Sequence, residues 1–381
     1  MNESKTMTRI LITGGCGFIG SELVKKLIEQ NYRITIIDNL IPQVHGKNPH
    51  FEWLENKHIT FIKGNVCNRK VINELIREQD IIVHLAAETG TAQSMYEIHH
   101  CSEVNILGTA NIADALINEK NAVRKIILSS SRAVYGEGKY NCPVCGTKYP
   151  GTRKFPKTGG HSFEPLCPSC GRKLVPIPTD ENSFLKPSSI YGMSKLAQEN
   201  IISIACRAKK IPYTILRFQN VYGEGQSLHN PYTGILPVFI SQIMQKKQIL
   251  LFEDGLETRD FIHVSDAVSA ILLSLMHEQA NDEIFNVGSG EARSVLNIAE
   301  AIFKLLHQTE NYKITYQYRE GDIRHNPADI SHIHEKLGFL PSRSFENGLE
   351  AFIAWAMEQP ILNDHFEKSI NFLKGRGLYS R

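Results

Sequence analysis

The chain has 381 residues, of which 42% are hydrophobic and 22% charged. Those values exclude a minimal domain and a disordered chain, and fit one large or two moderate globular units. Lys+Arg 42 against Asp+Glu 40 gives a net charge of +2, which argues against a generic nucleic-acid or membrane-surface binder. No run approaches the ~18 apolar residues of a membrane span, and the polar stretch 1–9 lacks a secretory core. These features predict a soluble, cytoplasmic protein with no membrane partner. Met7 is a candidate start, which would make 1–6 an unstructured leader.

In chain order, the apolar run RILIT at 9–13 reads as a buried strand. A helix follows over 18–30, with Ile19, Leu23, Val24, Leu27 and Ile28 on one face. Further strands are predicted at 33–37, 59–62, 81–85, 125–129 and 213–218, with helical patterns between most of them. This alternation predicts an α/β fold, a parallel sheet with helices on both faces, whose ligand lies at the carboxyl ends of its strands. The segment 136–178, rich in Gly, Pro, Lys and Cys, breaks the rhythm and reads as an insertion. Beyond Gly223 the pattern turns mixed, as for a smaller domain packed over the sheet.

Gly14, Gly17 and Gly20 follow the first strand and open the first helix, giving G-x-x-G-x-x-G with Phe18 and Ile19 before the last glycine. Glycines there allow a tight turn and let backbone approach a pyrophosphate, while the helix N-terminus supplies N–H donors. Asp38, 18 positions after Gly20, closes the second strand with Asn39 beside it. An acid at that distance accepts hydrogen bonds from a ribose and repels a 2′-phosphate, so the cofactor expected is NAD rather than NADP. The sheet is therefore expected to be a Rossmann-type doubly wound one.

Ser129, Ser130 and Ser131 end the strand that should finish over the nicotinamide. Tyr191 and Lys195 form Y-x-x-x-K, and residues four apart on a helix share a face. A nearby ammonium and a cationic nicotinamide would lower the phenol's pKa from ~10, so that Tyr191 can act as a general base toward a sugar hydroxyl. Ser131 would hydrogen-bond the same oxygen. Such a pair recurs by chance on exposed helices, and its weight comes from the glycine loop and serine strand beside it.

The ordered motifs ITGGCGFIG (12–20), DNL (38–40), HLAAE (84–88), SSSRAVYG (129–136), YGMSK (191–195), LRFQNVYG (216–223), TRDFIHV (258–264), FNVGSG (285–290) and REGD (319–322) resemble the extended short-chain dehydrogenase/reductase superfamily, specifically its nucleotide-sugar epimerases and dehydratases. The resemblance implies a smaller mixed α/β C-terminal domain for a nucleotide-sugar substrate. It implies that Asn65 and Val66 flank the adenine, although the family more often has Asp at the first position. It implies that Leu85, Ala86 and Ala87 line the cofactor channel, that Asn220 meets the substrate diphosphate, and that Arg259 and Arg319 clamp it. Two guanidiniums suit a diphosphate because each is planar, bidentate and always charged. A surface salt bridge is the plain alternative for both. A homodimer through helices near 95–117 and 189–209 is also implied.

The residues after Ser131 discriminate within the family. The 4,6-dehydratases resemble T-D-E here, with an acid and a base that expel water, whereas this chain has Arg132 and Ala133. Neither can do that work, so redox at one carbon remains and 4-epimerisation through a 4-keto sugar is the expected reaction, with Arg132 and Ser131 facing substrate. Loops 37–46 and 223–239, together with a cysteine-bearing insertion, resemble the dTDP-L-rhamnose 4-epimerases. A dehydratase or decarboxylase is the alternative enzyme, and an NAD-binding sensor or scaffold is the alternative outside catalysis.

Cys142-Pro-Val-Cys145-Gly and Cys167-Pro-Ser-Cys170-Gly are two C-P-x-C-G knuckles. In a reducing compartment this spacing predicts a zinc ribbon with four thiolates and no open position, hence a structural metal. Iron or redox cysteines are the alternatives, and His161 between the knuckles is a minor candidate ligand. From 137 to 178 there are seven Lys/Arg and two acids. A solvated basic face is the plain reading, and nucleic acid an unlikely partner. The expected domains are 7–221 for NAD with 255–277 returning to it, 137–178 for the ribbon, and 222–254 with 278–381 for the nucleotide sugar.

Overall fold

The computed structural model describes residues 7–30, 32–47, 49–153, 162–232, 234–360 and 366–379. The proposed leader 1–6 and His161 lie outside them. Seven strands form one parallel sheet in the spatial order Glu283–Val287, Tyr213–Phe218, Lys125–Ser131, Ile81–His84, Arg9–Thr13, Arg33–Asp38, Ile59–Lys63. The inner strands are apolar on both faces because helices cover both, and Ile10, Leu11 and Ile12 are fully buried. Val264–Met276 packs beside Phe18–Ile28, with Leu23, Val24, Leu27, Val268 and Ile271 in one core. A second core on the opposite face joins Ile72, Ile112, Leu116 and Ile202.

Strand order reverses at Arg9–Thr13, whose neighbours lead away on both sides, and a crevice opens above its carboxyl end. The loops leaving Arg9–Thr13 and Ile81–His84 touch there: a Cβ on Gly14 would lie 2.8 Å from the Ala86 backbone. Gly14 has φ +71°, so glycine is required on both counts.

Two boundaries differ from expectation. Glu283–Val287, expected in the substrate domain, pairs with Tyr213–Phe218 and completes the large sheet. Its sequence EIFNV is an ordinary strand run, but it stands in a mixed region whose rhythm gave no sign of a return. Within 255–277, Thr258–His263 instead joins Asn220–Tyr222 and Ala292–Ser294 in a small mixed sheet. The helix expected near 95–117 is interrupted: Ile98–Ser102 runs into a π turn at Glu103–Leu107, then Gly108–Asn118.

The second lobe has its own core, where Leu236, Phe239, Ile298, Ile302, Leu349 and Phe352 surround Tyr222 and Phe261. The cysteine insertion is a small antiparallel sheet with Tyr140–Cys142 between Gly146–Lys148 and Val175–Pro176.

Candidate active site

A cleft of about 960 Å³ runs over the sheet's carboxyl edge, a size suited to a cofactor and part of a substrate. Gly14, Gly17, Phe18, Ile19, Gly20, Asp38, Asn39, Asn65, Val66, Leu85, Ala86 and Ala87 all line it, as do Ser131, Arg132, Tyr191, Lys195 and Asn220. The turn fits a dinucleotide because Gly20 lets the helix start close on the strand end: a Cβ there would meet the Gly14 carbonyl at 2.5 Å. Asp38 is buried, accepting from Cys16 N–H at 3.0 Å and Leu40 N–H at 2.9 Å, with His45 Nε2 3.5 Å away. Two backbone donors fix that carboxylate at the wall of the cleft. Asn65, where the family favours Asp, turns its Oδ1 back to accept from Cys67 N–H at 2.9 Å.

Tyr191 and Lys195 lie on Ile190–Lys209, a helix capped by Ser189, whose hydroxyl accepts from Gly192 N–H. Lys195 is buried and its Nζ donates to the Ser129 carbonyl at 2.8 Å. Burial pushes its pKa down to about 8. Burial raises the Tyr191 phenol, and a hydrogen bond from Ser131 and the charge of Arg132 pull it back. The sequence-based expectation of a phenol lowered by Lys195 differs from this balance: the protein alone leaves the phenol above its ordinary value, and the relief comes first from the Ser131 hydrogen bond and then from Arg132. That guanidinium donates to Asn220 Oδ1 at 3.4 Å, and burial first, then Arg259, lower its pKa to about 9.

A smaller cavity of about 200 Å³ shares Arg132, Ala133 and Asn220 with the main cleft, and is lined also by Arg259, Arg319, Phe252 and Tyr318. Arg259 donates from Nη1 to the carbonyls of Thr258 and Arg324, at 2.8 and 3.0 Å. Arg319 donates to Asp322 at 2.8 Å and lies over the Phe252 ring at 4.7 Å. The predicted clamp arginines thus share one cavity, joined to the Ser131–Tyr191 cleft through Arg132 and Asn220.

The four predicted cysteines come together, with every Sγ within 4.8 Å of the others. A tetrahedral zinc–thiolate centre with Zn–S of ~2.3 Å requires S···S near ~3.8 Å, and Cys142 and Cys170 stand 3.5 Å apart. The donor set therefore fits zinc. Burial raises the Cys142 and Cys167 thiols, but backbone N–H groups of Val144 and Cys145 at one knuckle, and of Ser169 and Cys170 at the other, together with the Cys170 thiol, more than offset it; Cys167 falls to about 6. The matching pairs of donors reflect the repeated C-P-x-C-G sequence.

Three residues escaped sequence reasoning. Asn105, on the π turn, accepts from Glu88 N–H at 2.7 Å and donates to Ser194 Oγ at 2.8 Å, so it ties the HLAAE loop to the tyrosine helix. Glu257 lines the smaller cavity, and burial raises its pKa to about 7. Arg324 is fully buried among Glu164, Glu253 and Asp254. Only Glu257 had a signal, its place just before TRDF.

A model of the NAD dependent epimerase/dehydratase family matches residues 10–162 and 169–288. The chain is 37% identical over 353 residues to a dTDP-L-rhamnose 4-epimerase of Burkholderia thailandensis, covering 92% of this chain and 95% of that one. It is 30% identical to a UDP-N-acetyl-alpha-D-glucosaminuronate decarboxylase of Bacillus cytotoxicus, over 93% and 99% of the two chains. Among solved structures it is similar to a UDP-N-acetylglucosamine 4-epimerase from Methanobrevibacter ruminantium, with TM-score 0.74, 29% identity and coverage of 93% and 99%. Similarity of that extent, on a chain whose glycine turn and tyrosine helix meet in one cleft, makes this an enzyme of the NAD-dependent epimerase/dehydratase family that modifies nucleotide sugars.

Proposed function

We propose that the enzyme is a nucleotide-sugar 4-epimerase acting on dTDP-L-rhamnose or a closely related dTDP- or UDP-hexose. The observation that carries the reading is Arg132-Ala133 at the junction of the two cavities. A guanidinium that stays charged at neutral pH and a methyl group stand where an elimination needs an acid and a base. Tyr191, Ser131 and Lys195 remain, and they suffice for reversible oxidation at one carbon.

Gly14, Gly17 and Gly20 would cradle NAD, with Asp38 at its ribose, and the cofactor when bound would supply a reversible hydride sink for C4. Tyr191 takes the proton of the sugar 4-hydroxyl as C4 is oxidised, and returns it when C4 is reduced on the opposite face. Ser131 donates a hydrogen bond to the same sugar oxygen, and the Ser131 hydrogen bond and the charge of Arg132 favour the tyrosinate. Arg259, Arg319 and Asn220 grip the diphosphate while the 4-keto sugar turns over. Ala133 leaves room for that turn. The choice of dTDP-L-rhamnose is supported by the relative at 37% identity and by the 37–46 and 223–239 loops.

Cys142, Cys145, Cys167 and Cys170 hold a structural zinc in this reading, supported by their converging sulfurs. The enzyme forms a homodimer through the interrupted helical segment 98–118 and the helix Ile190–Lys209, whose Ile98, Leu107, Met193 and Ile204 are exposed apolar side chains. A nucleotide sugar deuterated at C4 tests the reaction. The 4-epimer should keep its deuterium in ordinary water, because the hydride never leaves the enzyme. Washout to solvent contradicts the mechanism.

A further inference from the structure

We propose that the cysteine insertion is the buttress of the substrate-diphosphate site, with Arg153 and Glu164 as positioning residues for Arg319 and Arg259. The proposal rests on the nucleotide-sugar reading and adds a role for the insertion that the chemistry at Tyr191 does not need.

Two chains of contacts carry it. Glu164, three residues before Cys167, accepts from Arg324 Nε at 2.9 Å and Nη2 at 2.7 Å. Arg324 is fully buried, and Asp254 and Glu253 hold its remaining donors at 2.7 to 2.9 Å. The Arg324 carbonyl then accepts from Arg259 Nη1 at 3.0 Å and from Thr258 N–H at 3.0 Å. So the insertion fixes Arg324, and Arg324 fixes both the guanidinium of Arg259 and the strand that carries it.

The second chain starts at Arg153. Its side chain is 5% exposed and forms ion pairs with Glu137 and Glu253, each at 2.6 Å. Its Nη2 also donates to the Asp322 carbonyl at 3.1 Å. The carboxylate of that same Asp322 accepts from Arg319 Nε at 2.8 Å. Each clamp arginine is thus one residue removed from an insertion side chain. Glu137 closes the frame by accepting from both Tyr140 and Arg324 N–H. His325 adds a further tie, between Glu164 and Thr258.

Buried ion pairs stabilise little in total, but removing one partner strands the other and releases the geometry it held. An arginine misplaced by about 1 Å loses its bidentate fit to a diphosphate. The substitutions should therefore act on binding of the diphosphate and spare the reaction at C4.

The test uses Glu164→Gln and Arg153→Met in the full chain, with dTDP and UDP as calorimetric probes. Affinity for the nucleoside diphosphate and KM for the nucleotide sugar should each worsen tenfold or more. The kcat should stay within twofold of the parent, and NAD affinity and bound metal should not change. Should either variant fail to fold, Glu164→Asp and Arg153→Lys keep the charge and are expected to show an intermediate loss. Folded variants with nucleoside diphosphate affinity within twofold of the parent overturn the proposal while leaving the epimerase reading intact. A parent that binds neither dTDP nor UDP overturns both.

Discussion

Tyr191 stands under opposed influences, with burial raising its phenol and Ser131 and Arg132 drawing it down. Replacing it with Phe should cut kcat by roughly a thousandfold, in line with loss of a general base, while NAD still binds. Arg132→Met removes a positive charge, so the phenol rises further and less tyrosinate exists at any given pH. The rising limb of the kcat–pH profile should then move alkaline by about one unit, a shift worth ~1.4 kcal/mol; an unmoved limb argues against Arg132 as a partner of Tyr191. Glu257 sets a second pH dependence. Burial holds it neutral below about 7 despite Arg259, with Glu253 adding to the rise, and above that pH it becomes a carboxylate in the cavity proposed for the diphosphate. KM for the nucleotide sugar should therefore rise about three- to tenfold between pH 6 and 8, and Glu257→Gln should flatten that rise. Asn105 was not legible at this scale. An Asn in a helical run looks like any polar residue until the π turn aims it at Glu88 and Ser194.

Secondary-structure elements were read more easily than their interruptions. The buried parallel strands are continuous apolar runs such as RILIT and KIIL, and the expected strands coincide with Arg9–Thr13, Arg33–Asp38 and Tyr213–Phe218 within a residue. The glycine turn was legible because close approach of two loops leaves no room for a side chain. The two C-P-x-C-G knuckles were legible for a similar reason, since the chemistry repeats in sequence. By contrast, Glu199 and Arg217 form a buried bidentate pair beneath Ser130, and nothing in spacing couples residues from a helix and a separate strand. Among the described residues the ribbon's own core is Tyr140, Cys142, Cys167 and Leu174 with Cys145 against them, too small to stand without a cross-link. Chelation should therefore release one metal ion per chain and expose the ribbon to protease first, with the large sheet still folded by circular dichroism. A ribbon equally resistant without metal contradicts a structural zinc.

Across the whole molecule, two lobes meet at Arg132 and Asn220: the sheet presents the large cleft with the glycine turn and Tyr191, and the second lobe presents Arg259 and Arg319 in the smaller cavity. The doubly wound sheet followed from strand–helix alternation, but the return of Glu283–Val287 to it did not, because a long-range pairing leaves no local period. The smaller cavity is lined by residues as far apart in sequence as Ala92, Arg132, Phe252 and Arg319, so the sequence spoke to its substrate only through likeness to relatives. The most direct test incubates the purified enzyme with dTDP-, UDP-, CDP- and GDP-sugars and reads products by mass and proton NMR. The account predicts a 4-epimer of unchanged mass, formed fastest from dTDP-L-rhamnose. A product lighter by one water would contradict the reading of Arg132-Ala133, and one lighter by carbon dioxide would leave that reading standing but contradict the assignment as an epimerase.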